Sequence, residues 1–175
     1  TRIWLESIGA LKRAGTISQV LRTHNVSREK IPKYINDQEL WLMGTMLYWA
    51  EGSKEKSYRT NSRVELCNTD PEMMHLFKVW LKKFCSIEEK ELKYSIYIHE
   101  RADWKRARKY WANQMSIEEK EINVYFKRHN PKTNRKNTKE SYYGLLRITV
   151  RKSINLNRKI AGWIQGIKKN YSGVV

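Results

Sequence analysis

Residues 86–91 and 116–121 spell the same hexapeptide, Ser-Ile-Glu-Glu-Lys-Glu, at an offset of thirty. This duplication constrains the fold more than any other feature of the chain. Each copy follows an aromatic-rich helical pattern and precedes an alternating segment, LKYSIYIH from 92 and INVYFKRH from 122. Two copies are too few for a solenoid. They predict two consecutive helix-then-strand units that add strands to one sheet.

The flanking segments supply the remaining elements. Residues 38–51 form the most apolar stretch, with no charge between Glu39 and Glu51, and end at Gly52, which predicts a buried helix with a glycine stop. A polar, basic segment follows, and 63–68 then alternate as a half-buried strand. Thr69 or Asp70 caps a helix that opens with Pro71 and Glu72 and runs to residue 85. Residues 142–150 return as a strand, after which Ser153 is placed to cap the last helix. Towards the N-terminus, 3–13 and 16–24 predict two short helices broken at Ala14-Gly15, and Pro32 interrupts a third that Ser27 would cap. The expected organisation is α+β: a helical N-terminal extension over 1–37, open to reading as a helix-turn-helix remnant, and a main domain over 38–175.

Charge sets the class of partner. With 35 Lys and Arg against 18 Asp and Glu, the net charge of +17 points to a polyanion. A hydrophobic fraction of 40% argues against a disordered basic tail. No apolar run approaches ~18 residues and no signal-peptide core is present, so neither a membrane span nor secretion is expected. The expected location is intracellular, in cytoplasm, nucleoid or an organelle matrix. The chain begins at Thr1, which suggests a processed or trimmed N-terminus. Cys67 and Cys85 lie in no CxxC pattern, so two reduced thiols are expected rather than zinc or a disulfide.

Strand alternation sorts the sheet residues onto two faces. Val64, Leu66, Tyr94, Ile96, Ile98, Ile122, Val124, Phe126, Leu146, Ile148 and Val150 fall on one. Arg63, Glu65, Lys93, Tyr97, His99, Asn123, Tyr125, Lys127, Arg147 and Thr149 fall on the other, which is basic, aromatic and rich in hydrogen-bonding groups. A curved antiparallel sheet of that character can lie along the major groove of DNA, with Arg and Lys reaching guanine or phosphate and Asn reaching adenine. Residues 127–141 carry six Lys and Arg and predict a mobile basic loop on the same edge, adding Lys132, Arg135 and Lys136 to the DNA-binding candidates, as does Lys54 beyond the apolar helix. Single-stranded nucleic acid remains open, because Tyr97 and Tyr125 can stack bases.

The segment Leu42-Met43-Gly44-Thr45-Met46-Leu47-Tyr48-Trp49-Ala50-Glu51-Gly52 resembles the helix of the LAGLIDADG homing endonucleases. With Gly52 closing the motif, Leu47 and Ala50 match it, Glu51 stands for the terminal acidic residue, and Gly44, Thr45, Met46, Tyr48 and Trp49 depart. Cys67-Asn68-Thr69-Asp70-Pro71-Glu72-Met73-Met74 is similar to the family's strand-to-helix junction, and Tyr143-Gly144 opens a late strand as in family members. The resemblance covers roughly residues 38–168, with the second repeat copy as an apparent insertion. It implies a LAGLIDADG-like fold, a curved antiparallel sheet with helices on one face, and a metal-dependent endonuclease cutting a near-palindromic duplex. Glu51 would hold Mg²⁺, with Lys93, Arg147 and Lys159 in support. Because the chain has one motif, two copies would pair through Gly44, Leu47 and Tyr48 into a homodimer. Gly44 and Glu51, seven residues apart on one helix face, agree with this arrangement. Two rivals stay open: a DNA-binding regulator without cleavage on the same scaffold, and an RNA-binding protein of the maturase kind.

Overall fold

In a computed structural model of the protein, the duplicated hexapeptide is a connector. The structure describes residues 2–58, 60–127, 142–171 and 173. Ser86 and Ser116 each sit in the left-handed region (φ 55° and 53°) and end the preceding helix. Each copy then forms one 3₁₀ turn, Glu89–Glu91 or Glu119–Glu121. The backbone N–H of Glu88 donates to the Glu91 carboxylate at 2.9 Å, and that of Glu118 to Glu121 at 3.1 Å, so the third acidic residue closes the turn from which a strand departs.

The chain divides into two compact units, Thr1–Asp37 and Gln38–Val175. The first contains one helix, α1 (Arg2–Glu29), which runs unbroken through the expected break at Ala14-Gly15 and through Ser27. A glycine costs a helix about 1 kcal/mol relative to alanine, which the helix formers on both sides outweigh. Pro32 follows the final turn. With one helix between residues 2 and 36, no helix-turn-helix is present there.

The second unit comprises α2 (Asp37–Glu51), β1 (Glu65–Asn68), α3 (Pro71–Cys85), β2 (Leu92–His99), α4 (Trp104–Met115), β3 (Ile122–Lys127), β4 (Leu145–Val150) and α5 (Ile154–Tyr171). The expected α+β class is found, with four strands in the order β1-β4-β2-β3. The sheet is mixed, however. β4 is antiparallel to β1 and β2, while β2 and β3 are parallel. The cause is the duplication: α4 carries the chain back to the start of the sheet, so two copies of one helix-then-strand unit lay their strands in the same direction.

The apolar face predicted from alternation forms the core. Val64, Leu66, Tyr94, Ile96, Ile98, Ile122, Leu146, Ile148 and Val150 are buried with Tyr48 of α2, Phe77 and Trp80 of α3, Trp111 of α4 and Ile160 of α5. Phe126 departs from that pattern: it lies on the edge strand, remains 53% exposed and meets Trp104 edge-on. Asp70 caps α3 as expected, accepting from the N–H groups of Glu72 and Met73. Ser153 acts differently from expectation. Its hydroxyl accepts from Val64 N–H at 2.8 Å and donates to Val150 O at 2.7 Å, joining β1 to β4 instead of capping α5. Among the described residues, no helix is long and apolar enough to cross a membrane.

Candidate nucleic-acid interface

The sheet register sets the polar face out in rows. Glu65, Thr149 and Lys93 form the first; Cys67, Arg147, Ser95 and Asn123 the second; Leu145, Tyr97 and Tyr125 the third; and His99 and Lys127 the last. Tyr97 and Tyr125 stack with centroids 5.2 Å apart, and the Arg147 guanidinium lies 4.4 Å from the Tyr97 ring centre. Arg147 also bonds the Cys67 thiol. Burial opposes its charge, but Cys67 and nearby Glu65 outweigh that and raise its pKa. Burial raises the pKa of Cys67 and of Tyr97 although Arg147 pulls both down, so the pair stays neutral beside a fixed cation.

The segment after α2 folds over the first two rows and encloses a pocket of about 630 Å³. Its anchor is Asn157 of α5, which is buried and donates to Tyr48 Oη (3.0 Å), Ser53 O (3.0 Å) and Arg63 O (3.2 Å). Ser53 adds a backbone bond to Glu65 O at 3.0 Å and a hydroxyl bond to the Glu65 carboxylate at 2.9 Å. Lys54, Lys56, Arg63, Lys93 and Arg147 line this space, with Glu65 the one carboxylate in its wall. Five cations against one carboxylate give the pocket an excess of positive charge among its described lining residues.

Of the expected DNA-binding residues, Lys54, Arg63, Glu65, Lys93, Tyr97, Tyr125, Arg147 and Thr149 come together in this pocket. Asn123 lies outside it and gives its amide to Tyr94 O at 3.2 Å. His99 is turned towards Tyr142, with ring centres 5.8 Å apart and a buried Nδ1 that has no partner among the described residues. Lys127 ends β3, where its carbonyl accepts from Glu100 N–H. Lys132, Arg135 and Lys136, with the expected mobile loop, lie outside the described residues. Alternation already put Ser95 between Lys93 and Tyr97 on this face, so it was legible and overlooked. Lys56, Tyr58 and Asn61 had no such signal, because the roof is irregular.

The expected interface roles of Gly44 and Tyr48 and the supporting role of Lys159 need correction. Gly44 packs inside its own chain: a Cβ there would fall 2.1 Å from Trp80 Cγ, so a helix of a second copy cannot occupy that space. Tyr48 is likewise buried, against Phe77 and Trp80. Leu47 is half-buried; the exposed apolar side of α2 is Leu42, Met43, Met46 and Ala50. Lys159 stands over the Trp163 ring at 5.2 Å and near Cys85, and is not among the residues lining the pocket that holds Lys93 and Arg147. Glu51 is exposed at the end of α2, and among the described residues no hydrogen bond or ion pair engages its carboxylate. Trp49 beside it carries Lys168 over its ring at 5.2 Å. Among the described residues no three His, Cys, Asp or Glu gather to hold a metal. No family model matches the chain, and neither curated proteins nor solved structures give a significant match.

Proposed function

We propose that this chain binds double-stranded DNA as a homodimer and cuts it by metal-dependent phosphodiester hydrolysis, as its LAGLIDADG resemblance implies. The observation that carries the reading is the gathering of five cations, from one sheet face and the segment covering it, around a tyrosine pair in a strongly basic protein. Leu42, Met46 and Ala50 recur every fourth residue on α2 and remain exposed, which supports a second copy packing there. Glu51 directly follows Ala50, so a twofold pairing of α2 would bring two free carboxylates towards one another. Mg²⁺ is held by one or two carboxylates together with phosphate oxygens. The free Glu51 carboxylate fits that requirement only with DNA or a second copy completing the set.

A second reading, DNA binding without cleavage, is favoured by Trp49, which fills the place of the motif's first acidic residue and lies under Lys168. The test is to select bound fragments from a randomised duplex library in Ca²⁺, then incubate the selected site with Mg²⁺. Cleavage at a near-palindromic site by wild type and not by Glu51→Gln is the expected result. A selected site that neither protein cuts supports the second reading, and selection of structured RNA over duplex contradicts both.

A further inference from the structure

The polar face is not uniformly open, and its enclosed part has the wrong shape for groove reading. A side chain that reads base edges must project into a major groove ~12 Å wide. Lys93, Ser95 and Arg147 instead line a concave space beneath a roof of residues 52–58 and 60–63. Its volume, about 630 Å³, falls among pockets that enclose a single small molecule, ~300–1,000 Å³.

The lining chemistry is that of one nucleotide. Arg63 and Lys93 have no partner for their charged groups among the described residues, so both are available to a phosphate. Arg147, Tyr97 and Tyr125 form a pre-ordered stack, and Tyr125 ends it on the edge strand while 42% exposed, leaving ring surface for a base. Ser95, 4% exposed as a residue, lines the pocket between Lys93 and Tyr97. Its hydroxyl can give or accept a hydrogen bond to a base or sugar edge in that space.

Resting on the DNA-binding reading above, we propose that this pocket receives one nucleotide displaced from the duplex, its base stacked on Tyr125 and its phosphate held by Arg63 and Lys93. Unstacking a paired base costs a few kcal/mol and is easiest where the base has no partner. The protein therefore prefers a duplex carrying an unpaired nucleotide.

The experiment compares equilibrium binding of the full chain to three duplexes of one sequence: fully paired, with a single-nucleotide bulge, and with the same bulge made abasic. The bulged duplex should bind roughly tenfold or more tighter than the paired one. That advantage should vanish for the abasic bulge and for Tyr125→Ala, and be kept by Tyr125→Phe. Equal binding of paired and bulged duplex overturns the proposal while leaving duplex recognition standing. So does an advantage that the abasic bulge or Tyr125→Ala retains, since bending alone would then explain it. Failure to bind any of the three overturns both readings.

Discussion

The two copies of the hexapeptide share a local code and lead to different structures. In the first, Glu89 accepts from Tyr94 Oη and pairs with Lys78 and Lys82, while Lys78 also donates to Met115 O at 2.7 Å. That network ties α3, α4 and β2 together beside the core. In the second copy Lys82 and Tyr94 are replaced by Ala112 and Val124, and no such network forms among the described residues. Arg108, which stands where the first copy has Lys78, donates instead to the Glu119 carbonyl. The first strand lies between two neighbours and is buried; the second is an edge and keeps Tyr125 and Phe126 exposed. The local code therefore sets the turn and launches the strand, whereas sheet position decides whether that strand becomes core or surface.

The largest way to break the comparison is at its equivalent apolar pair, Ile96 and Phe126. Ile96→Ala empties a fully buried site and should cost about 2–4 kcal/mol in urea unfolding, whereas Phe126→Ala should cost under about 1 kcal/mol despite deleting more atoms. Similar losses would mean that β3 is as much core as β2. Glu89→Gln comes next, at about 1–2 kcal/mol against ~0.5 or less for Glu119→Gln, because the former leaves buried Lys78 without its counter-charge.

The same pair has a pH signature. Burial alone would raise the Glu89 pKa, but Lys82, Tyr94 and Lys78 outweigh it and hold it below the usual carboxylate range. A carboxylate lowered on folding stabilises the protein above its unfolded pKa, and that contribution is lost as pH falls through the folded value. Wild type should thus lose stability over the acid range more steeply than Glu89→Gln, as read by thermal unfolding between neutral and acidic pH. The smallest effect sharpens the shared part. Ser86→Gly and Ser116→Gly each relieve a left-handed residue and should stabilise by about 0.4–1 kcal/mol, equally in the two copies.

What was legible in the sequence followed from periodicity. Alternation found the core face of the strands, the edge residue Phe126 excepted, because sheet side chains repeat every second residue, and it found seven pocket residues because they are the alternates. Strand direction was not legible, since nothing in INVYFK encodes whether it runs with or against LKYSIYIH; the crossover through α4 decides it. The buried face of α2 was not legible because apolar residues surround that helix, so periodicity does not separate the side of Gly44, which Trp80 fills, from the side of Met46, which stays exposed. The roof was invisible for a different reason. Its residues are polar and aperiodic, and its anchor Asn157 lies 104 residues beyond Ser53.

The central claim is that the cations of the roofed sheet face hold the phosphates of DNA. It is tested most directly by the salt dependence of duplex binding for wild type and for the double variant Arg63→Ala/Lys93→Ala. Each phosphate contact removed should lower the slope of log K against log salt by about 0.9. Because Arg63 and Lys93 share one phosphate, the claim predicts weaker binding with a slope shallower by about 0.9; an unchanged slope and affinity would contradict it and move the DNA to another surface.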